Sequence, residues 1–123
     1  CVSMGNPHCV VFCENVDKLD LLKLGPMFEY HPLFPDRVNT EFVEVLGHNH
    51  LKMRVWERGS GETMACGTGA CASAVAAVLN GYGSKDSDIL VELKGGELVI
   101  RYTDETVFMT GDCVKVYDGE VEI

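Results

Sequence analysis

Gly59-Ser60-Gly61-Glu62-Thr63-Met64-Ala65-Cys66-Gly67-Thr68-Gly69-Ala70-Cys71-Ala72 is the stretch from which the rest of the chain can be ordered. A glycine-rich turn runs into a thiol, and the thiol opens a run from Cys66 to Tyr82 with no charge and no proline. Val75, Val78, Leu79 and Tyr82 fall at helical spacing, while Ala, Cys and Gly fill the other faces. A helix without a polar face belongs inside a domain, wrapped on most sides. Its first N–H groups have no intrahelical acceptor and carry a partial positive charge. A cysteine at that end is expected to have its thiolate favoured, with a carboxylate docking beside it on Gly67, Thr68 and Gly69. Cys66 is therefore the candidate active-site residue. Cys71, five residues on, is rotated ~140° around the helix and assigned to packing.

Working outward, Leu51, Met53 and Val55 alternate with Lys52, Arg54 and Trp56, a strand whose apolar row is continued by Glu57. A carboxylate in an inward row needs a task or a partner, and Arg58 is the nearest candidate partner. Val38 to Leu46 forms the preceding strand, with Gly47-His48-Asn49-His50 as the hairpin turn; the two histidines there read as solvated rather than metal-bound. Asp17 to His31 is expected as two helical pieces, the first capped by Asp17 and ended at Gly25-Pro26. Cys1 to Phe12 reads as a strand interrupted by Gly5-Asn6-Pro7-His8. Asn6 and His8 share parity with Val10 and Phe12, although an Asn-Pro turn with a surface histidine is the competing reading. Beyond a glycine stop at Gly81, short strands are expected at Ile89–Leu93, Glu97–Tyr102, Thr106–Met109, Val114–Tyr117 and Val121–Ile123. The sum is an α+β domain in which a strongly curved, mixed or antiparallel sheet wraps one central buried helix, without repeated βαβ units.

At 123 residues and 46% apolar content the chain reads as one domain, 1–123, large enough for a real core. A net charge of −9 argues against nucleic acid and anionic membranes as partners. No apolar run approaches the ~18 residues of a membrane span, and no secretory leader pattern opens the chain. The six cysteines read as free thiols of a reduced, cytoplasmic protein, with Cys9, Cys71 and Cys113 in apolar surroundings. The chain starts in what reads as mid-strand with no initiator methionine, as a piece of something longer would.

The glycine run lacks the lysine of a P-loop and the βαβ setting of a dinucleotide fold, so a small carboxylate suits it better than a pyrophosphate. Two uses of a thiolate then compete. As a nucleophile it would attack an acyl carbon with His8 and Asn6 in support. As a base it would take a proton from a carbon beside a carboxylate. Composition does not separate them.

Met4-Gly5-Asn6-Pro7-His8, Arg37-Val38-Asn39-Thr40-Glu41-Phe42-Val43, Val55-Trp56-Glu57-Arg58-Gly59-Ser60-Gly61-Glu62-Thr63 and Ala65-Cys66-Gly67-Thr68-Gly69-Ala70-Cys71-Ala72, in this order, closely resemble the C-terminal half of diaminopimelate epimerases. Cys-Gly-Thr-Gly alone is shared with proline racemases. The resemblance implies a cofactor-independent, metal-free isomerase of lysine and cell-wall biosynthesis that interconverts LL- and meso-diaminopimelate. It implies two pseudo-symmetric domains, one cysteine from each facing Cα across the small-molecule substrate, and it allows a homodimer of the full-length enzyme. Cys66 would be the cysteine of the second domain. Gly67 and Thr68 would bind the α-carboxylate, Asn6, Asn39, Glu57 and Arg58 would contact substrate, and His8 and Glu57 would assist proton transfer. The N-terminal domain and its cysteine lie outside this chain, which alone should not epimerise. A proline-racemase-like enzyme, a cysteine hydrolase and a non-catalytic carboxylate-binding domain are the alternatives. Gly111-Asp112-Cys113-Val114 departs from the family's usual Gly-Pro-Ala at a late turn.

Overall fold

Strand-forming alternation dominates the sequence, and a computed structural model of residues 1–123 gathers it into one eight-stranded mixed sheet. The strands are β1 (Val2–Ser3), β2 (Pro7–Phe12), β3 (Asn39–Gly47), β4 (His50–Glu57), β5 (Gly61–Thr63), β6 (Asp88–Leu93), β7 (Gly96–Tyr102) and β8 (Val107–Thr110). The helices are α1 (Leu21–Glu29) and α2 (Gly67–Leu79). The sheet runs β1-β2-β3-β4-β6-β7-β8, with β5 paired to β4 off this path. Two pairings are parallel, β2 with β3 and β4 with β6, and each is bridged by a helix-bearing connection. The expected absence of βαβ units does not hold at these two crossovers, because a strand pattern does not reveal which strands become neighbours.

The sheet curls around α2, which touches β1, β2 and β3 toward one end and β7 and β8 at the other. Ala70, Ala72, Ala74 and Ala77 are fully buried, and small side chains let strands approach on nearly every side. The main core joins α2 to Val43, Leu51, Met53, Val55, Ile89, Val91 and Ile100. Gly81, at φ +80°, ends the helix: Tyr82 N–H bonds Ala77 O at 2.9 Å and Gly81 N–H bonds Val78 O at 3.1 Å, a Schellman closure. A smaller cluster on the opposite face packs Val16, Leu21 and Phe42 with Leu24, Phe28 and Trp56.

Three expectations change. Helix α1 is continuous through Gly25-Pro26, with Asp20 rather than Asp17 as its cap, accepting from Lys23 N–H at 3.3 Å. Gly25 does not end the helix because it seats Trp56: a Cβ there would lie 2.1 Å from the indole. Residues 111–123 form no strands at 114–117 or 121–123; their alternation finds no partner edge in this chain and their side chains are exposed. Cys113 is exposed with them and Cys9 is only half-buried, so of the three thiols expected in apolar surroundings only Cys71 is buried. No helix is long and apolar enough to cross a membrane.

Candidate active site

The start of α2 faces the β2–β3 end of the sheet. Cys66 is the N-cap, extended at φ −139° and ψ 108°, and the first intrahelical bond runs from Ala70 N–H to Cys66 O at 2.9 Å. The N–H groups of Gly67 and Thr68 therefore have no acceptor within the helix. Cys66 Sγ lies 3.7 Å from Thr68 Oγ1, which accepts from Asn6 Nδ2 at 3.3 Å. Asn6 Oδ1 is 3.1 Å from His8 Nε2, and His8 Nδ1 is 2.7 Å from Glu41 Oε1. Five side chains thus form one line from the sheet interior to the sulfur. His8 faces inward with Val10 and Phe12, at 1% exposure, as parity suggested and unlike the surface histidine of the competing reading.

A second group closes the other side. Thr63, on β5, donates to Glu57 Oε1 at 2.5 Å, and its hydroxyl is also 3.4 Å from Ala65 O beside Cys66. Its single proton serves the shorter bond. Asn39 Nδ2 donates to Pro7 O at 3.2 Å, while its Oδ1 accepts from Arg58 N–H at 2.9 Å, tying the end of β4 to the start of β2. Arg58 is not the partner of Glu57: its guanidinium donates to Asp36 O at 2.9 Å. The loop carrying Arg58 is held from beneath by Glu29, which accepts from Trp56 Nε1 at 2.7 Å, Gly59 N–H at 2.9 Å and Arg37 at 3.1 Å.

The diaminopimelate epimerase family profile matches residues 1–116 of the chain. This chain belongs to the diaminopimelate epimerase family. It is 59% identical over 124 residues to a diaminopimelate epimerase of Desulfovibrio desulfuricans, covering 99% of this chain and 42% of that protein. The enzymes of Synechocystis sp. and Acetivibrio thermocellus are each 57% identical over 125 residues, the match spanning 100% of this chain and 44% of theirs. The chain thus spans less than half the length of the curated relatives it matches. Two solved structures of PhzF-family phenazine biosynthesis proteins share the fold. The one from Bacillus anthracis has a TM-score of 0.57 at 25% identity over 80% of this chain and 30% of its own. That from Enterococcus faecalis has a TM-score of 0.60 at 18% identity, with coverages of 83% and 36%.

Against the diaminopimelate epimerase resemblance, Asn6, His8, Cys66 and Thr68 come together in the hydrogen-bonded line, with Gly67 beside them. Asn39, Glu57 and Arg58 gather where β4 ends. The electrostatics depart from expectation at the sulfur. Burial pushes the Cys66 thiol above its ordinary value, against the Thr68 hydroxyl and Gly69 N–H, which pull it down, and the Glu57 and Glu41 charges push it further up. The helix start alone does not make it a favoured thiolate, because its sulfur is largely dry.

Two residues in the site went unread in the sequence. Glu41 is fully buried; burial holds its carboxyl above the usual range despite the bond and charge of His8, and its Oε2 has no partner. The inward-row logic that singled out Glu57 applies equally to Glu41, which shares parity with Val43 and Val45. Glu29 carried no such signal. Gly69 explains how the carboxylate reaches the helix: a Cβ there would lie 2.7 Å from Glu41 Oε1 and 3.2 Å from Cys66 Sγ.

Proposed function

We propose that this chain is the C-terminal domain, 1–123, of a cytoplasmic, cofactor-independent two-base epimerase interconverting LL- and meso-diaminopimelate, and that it is inactive without the N-terminal domain. Cys66 is one acid–base group, and the other is a cysteine of the missing domain. One sulfur removes the Cα proton as thiolate while the other, as thiol, delivers a proton to the opposite face, so charge and protons balance over the turnover. Burial pushes the Cys66 thiol up and so keeps it protonated at neutral pH, which suits the role of proton donor. Gly67 and Thr68 N–H groups receive the α-carboxylate, whose negative charge the helix start favours. Asn6, Asn39, Glu57 and Arg58 contact substrate, and His8 and Glu57 assist the proton movements.

The observation that carries this reading is the line of donors and acceptors from the His8–Glu41 pair through Asn6 and Thr68 to a cysteine at a helix start. The test is solvent-deuterium incorporation at Cα of diaminopimelate by the intact protein that carries this chain. Exchange abolished by Cys66→Ala is expected. Exchange into proline instead, or a trapped acyl-thioester on Cys66, would replace the assignment with a racemase or a hydrolase.

A further inference from the structure

Glu41 is a fully buried carboxylate to which the proposed reaction gives no task. It occupies an inward position of β3 between Asn39 and Val43, where an apolar side chain would pack without desolvating a charge. The one side chain it hydrogen-bonds is His8, through Oε1, and Oε2 has no hydrogen-bond partner. Its neighbours make that single contact informative. Asn6 presents Oδ1 to His8 Nε2 and Nδ2 to Thr68 Oγ1, so Nε2 carries a proton and the Thr68 hydroxyl, already accepting, has its own proton free for Cys66 Sγ. Every donor in the line then points toward the sulfur. This direction holds only while His8 keeps hydrogen on Nε2, and the group facing its other nitrogen sets that.

We infer that Glu41 is a positioning residue: it shares one proton with His8 Nδ1, fixes hydrogen on Nε2, and so keeps the Asn6–Thr68 donors aimed at Cys66. The inference rests on the reading of Cys66 as an acid–base group and extends it two side chains beyond Thr68 and Asn6. The shared proton makes the buried pair neutral overall, as carboxyl with imidazole or carboxylate with imidazolium. That matters because the groups facing Glu41 are sensitive to a bare charge: Glu57 from β4, Cys66 at the start of α2 and Cys9 from β2 all feel or exert one. Charge on Glu41 opposes ionisation of Cys66, and the proton shared with His8 reduces that opposition. No proton has to leave the line during turnover. The donors strengthen as charge develops on sulfur and relax when it is reprotonated.

The ring nitrogens of His8 can be read directly, in the intact protein labelled with 15N at histidine, with His8→Gln used to assign the signals. Hydrogen on Nε2 at neutral pH is expected. Hydrogen on Nδ1 alone in the unaltered protein would overturn the inference without any variant of Glu41. Glu41→Gln is expected to mix the two tautomers and to slow Cys66 alkylation at neutral pH about tenfold, the effect of one pKa unit on a mostly protonated thiol. Glu41→Asp, which keeps a carboxylate, should recover part of both signals. A folded Glu41→Gln protein with unchanged His8 spectrum and unchanged pH–rate profile for Cys66 would assign Glu41 to packing alone. Absence of diaminopimelate exchange in the unaltered protein would remove the epimerase reading, whereas these two readouts would still decide the role of Glu41.

Discussion

Cys66 stands between opposing influences, and their balance makes specific chemistry. Its sulfur is buried, which disfavours charge, yet it meets the Thr68 hydroxyl and the Gly69 amide, which favour charge. Since the net direction is upward from an ordinary thiol, the thiolate fraction grows only at alkaline pH, and half-maximal alkylation of Cys66 is expected at a higher pH than for a free cysteine. Thr68→Val should move the midpoint higher still. Cys71 is equally buried but has no hydroxyl and no open helix start, so it should react more slowly than Cys66; mass spectrometry of a pH series of alkylations distinguishes the two. Gly69 gives the second prediction at this scale. Alanine is intrinsically better in a helix than glycine by about 1 kcal/mol, but here its methyl would press against Glu41 Oε1 and Cys66 Sγ. Both atoms belong to buried side chains, so Gly69→Ala should destabilise the chain by about 1–3 kcal/mol in denaturant unfolding and displace the thiol.

Among the elements, α1 shows where local signals lose to packing. Gly25-Pro26 is a strong stop signal, and Pro26 does remove one helix hydrogen bond. The helix continues because the missing side chain of Gly25 leaves room for the Trp56 indole against it, and Trp56 in turn donates to Glu29 at the helix end. None of this is local, so the sequence around Pro26 could not announce it. Helix α2 was legible for the opposite reason, since a run without charge or polar face has only one place to go. Glu29 supplies a pH-dependent prediction. Burial pushes its carboxyl up, but the Trp56, Gly59 and Arg37 donors together outweigh burial and leave it below its ordinary value. A carboxylate depressed in the folded state contributes stability above its unfolded value of about 4.3, and that contribution is lost as pH falls through the folded value. Glu29→Gln should therefore cost about 1–3 kcal/mol near neutrality. The gap to the unaltered protein should narrow in unfolding curves recorded at progressively lower pH below about 4; a gap that stays constant would mean that only shape matters at this position.

At the scale of the whole molecule, the alternating strands β4, β6 and β7 were readable because each buries one face against α2, and period two follows directly from that. The same period at 111–123 misled, since alternation states that one face wants burial and says nothing of whether a pairing edge exists. Val114, Val116, Val121 and Ile123 are each at least 84% exposed, so within this chain that want is unmet. Two consequences follow from one observation. Ending the chain at Thr110 removes almost no buried surface, and the melting temperature should change by no more than about 2–4 °C, the equivalent of about 0.5 kcal/mol. The exposed apolar side chains, by contrast, are available to any complementary surface, so the chain with residues 111–123 should self-associate and bind a hydrophobic dye more than the shortened one. Cys113 provides an internal reporter. It lies in this segment and is exposed, so it should be alkylated far ahead of Cys66 and Cys71. Protection of Cys113 together with a large fall in melting temperature on shortening would mean that residues 111–123 pack onto the sheet after all.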